Sequence, residues 1–140
     1  MTDISVSSTA FQVEKRSWLL SPHGTEMTPS ITLDVSAFTA ATHYPDGYLK
    51  SGIVLAQLAS GGKYVPYVDA GSGGAGVAVG LLFSSVKVPS LTDLTKDVGG
   101  ALFVHGLVKA SKLPIANAAS GGGFLDANGQ AELKLIHFEN

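Results

Sequence analysis

The chain has 140 residues, 45% of them apolar and only 14% charged, with a formal net charge of −2. That length is one domain, and its charge excludes the basic stripe of a nucleic-acid binder: Lys50, Lys63, Lys87 and Lys96 stand singly, and Lys15-Arg16 is the only adjacent basic pair. The longest apolar runs, 76–83 and 101–108, are eight residues each, far short of the roughly 20 that a membrane-spanning helix needs, so the low charge points instead to a surface hidden against partners.

Residues 1–16 are rich in Ser and Thr, with Ile4, Val6, Phe11 and Val13 as their sizeable apolar groups. Ile4 and Val6 share one face of an extended chain, as do Phe11 and Val13, with a slip of one residue between the pairs. Alone, the segment cannot offset its ordering entropy, so it is predicted to be a flexible arm that becomes a strand on a partner's open sheet edge, or else a tail without a role. The first residues lack the basic stretch and apolar core of a signal peptide. With no cysteine, disulfides and thiolate metal sites are excluded and synthesis in a reducing cytoplasm is expected. Trp18, the single tryptophan, is either the core residue that anchors the start of the domain or an arm or interface anchor.

From Ile31 the pattern is β. Ile31, Leu33 and Val35 alternate with Thr32 and Asp34, the period of a half-buried strand. Tyr44-Pro45-Asp46-Gly47-Tyr48 reads as a turn with proline second and glycine fourth. Further strands are predicted at 53–58, 64–68, 77–83 and 101–108, punctuated by Gly61-Gly62, Gly99-Gly100 and the glycines at 121–123. Residues 109–113 suit one short helical turn stopped by Pro114. Asn128-Gly129 is a hairpin dipeptide, with 131–138 as the closing strand. Residues 17–140 thus read as a single mainly β domain with at most one or two short helical turns and no internal repeat.

Chemistry is sparse. Gly71-Ser72-Gly73-Gly74-Ala75-Gly76 matches G-x-G-x-x-G, but a dinucleotide loop must open a helix, and Val77 to Phe83 favours a strand. His23, His43, His105 and His137 form no H-x-H or H-E-x-x-H pair, which leaves only clustering in space; His105, in an apolar run, reads as a hydrogen-bonded histidine of the core or of a subunit interface. Asp34, Asp46, Asp93 and Asp126 each fit a turn or an exposed strand face, and no G-x-S-x-G elbow is present. No catalytic, metal or cofactor-binding residue is assigned, and no enzyme is expected.

The order of several segments nevertheless resembles a known family. Trp18-Leu19-Leu20-Ser21-Pro22-His23-Gly24-Thr25-Glu26, then Ile31-Thr32-Leu33-Asp34, Phe38-Thr39-Ala40 and Thr42-His43-Tyr44-Pro45-Asp46-Gly47-Tyr48, are similar to the lambda head decoration protein D family, above all the versions in phages and prophages of actinobacteria. Leu82-Phe83, Val86-Lys87-Val88, Val98-Gly99-Gly100-Ala101-Leu102-Phe103-Val104-His105-Gly106, Lys112-Leu113-Pro114 and Leu135-Ile136-His137-Phe138 continue the resemblance across residues 17–138. It implies a compact domain of the β-clip type, assembled as a homotrimer over local threefold sites on the outer surface of the expanded head. The arms would face the major capsid protein and the trimers would stabilise the shell against internal DNA pressure, without nucleic acid, membrane or cofactor. A phage tail or baseplate β-module is the nearest alternative. A small-molecule enzyme would rest only on the glycine loop and the unpaired histidines.

Overall fold

Alternation decides the first strand. Ile31 and Leu33 are buried while Ser30 and Thr32 face solvent, so β1 (Ser30–Leu33) covers a core with one face only. A computed structural model describes residues 16–116 and 119–139. Its other strands are β2 (Tyr48–Leu49), β3 (Val54–Gln57), β4 (Tyr64–Pro66), β5 (Ala78–Leu82), β6 (Val86–Lys87), β7 (Val98–Phe103), β8 (Gly106–Lys109) and β9 (Ile136–Glu139). Two short helices, α1 (Ala40–His43) and α2 (Ala127–Glu132), and 3₁₀ turns at Val35–Ala37 and Ala110–Lys112 complete the fold. The chain is a mainly β domain.

Five strands close a barrel in the order β1-β4-β3-β5-β7. Closure is made by β1, antiparallel to β7 with Ser30 opposite Ala101 and Leu33 opposite Val98, and parallel to β4 at Leu33 and Tyr64. Closing the sheet removes its open edges. β2 pairs with β6, and β8 pairs in parallel with β9.

The apolar run Ile53-Val54-Leu55-Ala56 is wholly buried because β3 is covered on both faces, the situation in which alternation gives way to a continuous apolar strand. Ile53 and Leu55 join one core with Leu33, Leu49, Leu82 and Leu102. Val54 and Ala56 join the other with Trp18, Tyr67, Leu81, Phe103, Val108 and Ile136. One core fills the barrel side; the second is sealed by residues 18–20, β8 and β9. Each fully buried Leu or Phe in these layers contributes about 1.5–3 kcal/mol.

Four expectations are corrected. Gly99-Gly100 does not end a strand but lies inside β7: a Cβ on Gly100 would stand 3.0 Å from Leu33 Cδ1 and 3.2 Å from Leu82 Cδ1, so the missing side chain makes room for two leucines. The run 101–108 is two strands rather than one, because the chain breaks at Val104-His105 and turns through Gly106 at φ +151°. Asn128-Gly129 makes no hairpin. It sits in α2, whose N-cap Asp126 accepts the Gly129 N–H at 2.7 Å, and an aspartate cap outweighs the turn preference of the dipeptide.

The closing strand expected at 131–138 is shorter, since α2 runs to Glu132 and β9 begins at Ile136. Gly47 N–H donates to the Tyr44 carbonyl, closing the Pro45-Asp46 turn. The loop 71–76 runs straight into β5 without a helix, which leaves a pyrophosphate no helix terminus to meet.

Candidate binding surface where the leading segment joins the barrel

The arm residues Ile4, Val6, Phe11 and Val13 lie outside the described residues. The surface begins at Arg16, whose guanidinium lies 4.2 Å from the Phe83 ring centroid, a cation–π contact. Two residues on, Trp18 enters the second core. Its ring meets Phe103 edge-on at 5.3 Å, and its indole N–H donates to Ser51 Oγ at 3.2 Å. Ser51 Oγ in turn donates to the Phe83 carbonyl at 2.7 Å. Trp18 is 1% exposed. The ring is thus placed in the core, where it fixes the start of the domain.

Backbone bonds extend this attachment. Lys109 N–H donates to the Trp18 carbonyl at 2.7 Å, and Leu20 N–H to the Leu107 carbonyl at 3.1 Å. Residues 18–20 thus lie antiparallel along β8, with Leu19 opposite Val108. Beside this root runs a groove of about 410 Å³ lined by Arg16, Leu19, Leu20, Pro22, Thr25 and Phe83. Leu20 on its wall is 44% exposed. A second, apolar hollow lies between α1 and the loop before β7, lined by Ala40, Ala41, Tyr44, Pro45, Leu91 and Leu94, with Leu91 largely exposed.

The histidines separate into three situations. His43 is fully buried at the end of α1. Its Nδ1 accepts the Thr39 N–H at 2.8 Å and its Nε2 stands 2.8 Å from the Gly122 carbonyl, which fixes the neutral tautomer with the proton on Nε2. Burial holds its pKa below the ordinary value against the opposing pull of the Gly122 carbonyl, and the Lys50 charge adds to the lowering. His137 lies on β9 facing solvent, opposite Leu107. His23 and His105, 82 residues apart, meet with their Nε2 atoms 3.3 Å from each other. His105 is half-buried at the surface of the single chain against His23, so the core half of its expected placement is not met.

The sequence reading missed this pair, yet carried a signal for it: both histidines precede a glycine, His23-Gly24 and His105-Gly106. Gly24, at φ +85°, has no room for a Cβ against the His105 carbonyl, and a Cβ on Gly106 would meet the His23 carbonyl at 2.7 Å. Two reciprocal backbone approaches hold the loops together.

Three of the four aspartates singled out in the sequence have structural partners. Asp34 caps the first 3₁₀ turn through Ser36. Asp93 binds Thr95, whose hydroxyl and N–H lower its pKa. Asp126 serves α2 and accepts the Tyr67 hydroxyl at 3.0 Å. Burial first, and then that bond to Asp126, raise the Tyr67 pKa far above its usual value. Among the described residues no group of three or more His, Asp or Glu is assembled to hold a metal, and no helix is long and apolar enough to cross a membrane. No known family model matches the chain, and no curated protein matches it.

Proposed function

We propose that the chain is a capsid decoration protein that binds as a homotrimer to the outer surface of an expanded phage head. The trimers sit at local threefold sites and bridge copies of the major capsid protein against internal DNA pressure. The observation that carries the reading is the fixed root of the leading segment: Trp18 is locked in the core and residues 18–20 are bonded to β8. A segment held in this way transmits load from whatever it grips directly into the barrel. The order of segments between residues 17 and 138 that resembles the decoration family supports the same reading.

No special chemistry is needed. A leading segment that adds a strand to a capsid edge gains backbone hydrogen bonds, each contributing about 0.5–1.5 kcal/mol net, against about 1–2 kcal/mol of lost backbone freedom per residue. One arm is marginal by this reckoning. Three arms on one trimer make the later contacts intramolecular and raise avidity by about 10²–10⁴-fold. Because the site would exist only after shell expansion, attachment is confined to mature heads.

Deleting residues 1–15, which leaves Arg16 on Phe83, tests the reading. Cosedimentation with expanded heads should be lost while the truncated protein still sediments as a trimer. Normal attachment of the truncated protein overturns the arm's role, and absence of this polypeptide from the head exterior in virion images overturns the function.

A further inference from the structure

The His23–His105 pair belongs neither to the core nor to the arm root. Their Nε2 atoms are 3.3 Å apart, a long contact that one ring's N–H and the other's free nitrogen can bridge as a hydrogen bond. The rings stand 83° to each other with centroids 4.7 Å apart, closer than imidazoles joined end to end by a straight hydrogen bond. The two Nε2 atoms thus stand nearer to each other than the ring centres do. Two imidazole nitrogens that bind Zn²⁺ at about 2.0–2.1 Å with a tetrahedral angle stand about 3.3–3.4 Å apart. The observed separation equals that bite.

The backbone around the pair is built to keep it. Gly24 lies on the His105 carbonyl and Gly106 on the His23 carbonyl, each too close for a side chain. The His23 loop is further closed by Ser21 Oγ on the His23 N–H at 3.1 Å and by Thr25, whose N–H and hydroxyl both donate to the Pro22 carbonyl. On the other side, His105 directly precedes β8, and β8 is bonded to β9 and to residues 18–20. Little conformational freedom remains to be lost when both rings engage one ion, which is the source of chelate affinity.

We infer that His23 and His105 of one chain form a two-imidazole chelate for a first-row divalent transition metal, Zn²⁺ or Ni²⁺, whose remaining positions are open to solvent. Neutral imidazole suits these ions, and the hard cations Mg²⁺ and Ca²⁺ prefer oxygen. The inference is independent of capsid binding, because it concerns the single chain.

The test uses the untagged full-length protein at neutral pH. Calorimetric titration with Zn²⁺ should give one ion per chain, and the protein should be retained on a Ni²⁺-chelate resin. His23→Asn and His105→Asn should each weaken Zn²⁺ binding by about tenfold or more and elute at lower imidazole, whereas His137→Asn should change neither. His23 is exposed, so its variant keeps the fold and decides the matter even where the His105 variant is destabilised. Wild-type Zn²⁺ affinity in His23→Asn, or loss of binding in His137→Asn, overturns the inference.

Discussion

At the scale of single residues, the buried side chains of His43 and Trp18 each make a testable contribution to stability. His43 bridges α1 and the glycine loop at 121–123 only as neutral imidazole, since Nδ1 accepts and Nε2 donates. Its folded pKa lies below the unfolded value of 6.5, so the unfolded chain takes up the proton first. Its contribution is therefore fully present above about pH 6.5 and is lost as the pH falls through that value towards the lowered one. His43→Gln should cost about 1–3 kcal/mol at pH 7.5 through its broken buried bonds, and its melting temperature should fall less steeply than the wild type's between pH 7 and 5. Parallel slopes would show that His43 does not carry this acid sensitivity. Trp18 offers a second check. Buried against Phe103 and bonded to Ser51, it should emit at short wavelength in the free protein and show no shift on attachment to heads. Trp18→Ala should cost about 3–5 kcal/mol by opening a cavity, read by denaturant unfolding. None of this polar wiring was legible in the sequence. The partners of His43 include Gly122, 79 residues away, and His23 finds His105 at a similar remove; only the two His-Gly dipeptides hinted at close backbone contact.

At the scale of elements, β1, β3, β4 and β5 were legible because strand period and apolar runs report burial directly, on one face or on two. Errors fell where a local signal met a tertiary demand. Gly99-Gly100 carries the composition of a turn, but Leu33 and Leu82 fill the space a side chain would need. Asn128-Gly129 is a hairpin dipeptide by itself, yet Asp126 at its N-terminal side captures the Gly129 N–H and turns the segment into α2. That helix then ties the far side of the barrel: Glu132 accepts the Ala78 N–H at 2.6 Å at the start of β5, and Asp126 holds the Tyr67 hydroxyl. Asp126→Ala removes a cap worth about 0.5–2 kcal/mol and leaves the Tyr67 phenol only the longer bond to Asp69 Oδ1 at 3.5 Å. The expected loss is about 2–4 kcal/mol, with Asp126→Asn retaining more than half of the stability through its amide oxygen. Equal losses in the two variants would mean that charge rather than capping geometry matters there.

At the scale of the whole molecule, the barrel removes strand edges while Met27, Val77, Leu91 and Leu135 remain more than half exposed. A chain with 14% charged residues that leaves such groups in water is best served by partners that cover them, and a trimer supplies partners of its own kind. Free protein is expected to sediment at three times the 14.4 kDa chain mass. The number of arms then becomes an experimental variable. If the chain is the proposed trimer, mixing full-length chains with chains lacking residues 1–15 should give assemblies that carry three, two, one or no leading segments. If the arms act together through one rigid body, head affinity should fall by about 10²–10⁴-fold between three arms and one, a steep and non-linear loss. Arms that bind independently would give a decline in step with their number, and bound trimers without any arm would place the attachment on the barrel itself. Affinity measured on separated mixed trimers therefore distinguishes a stapled cap from a body that simply adheres.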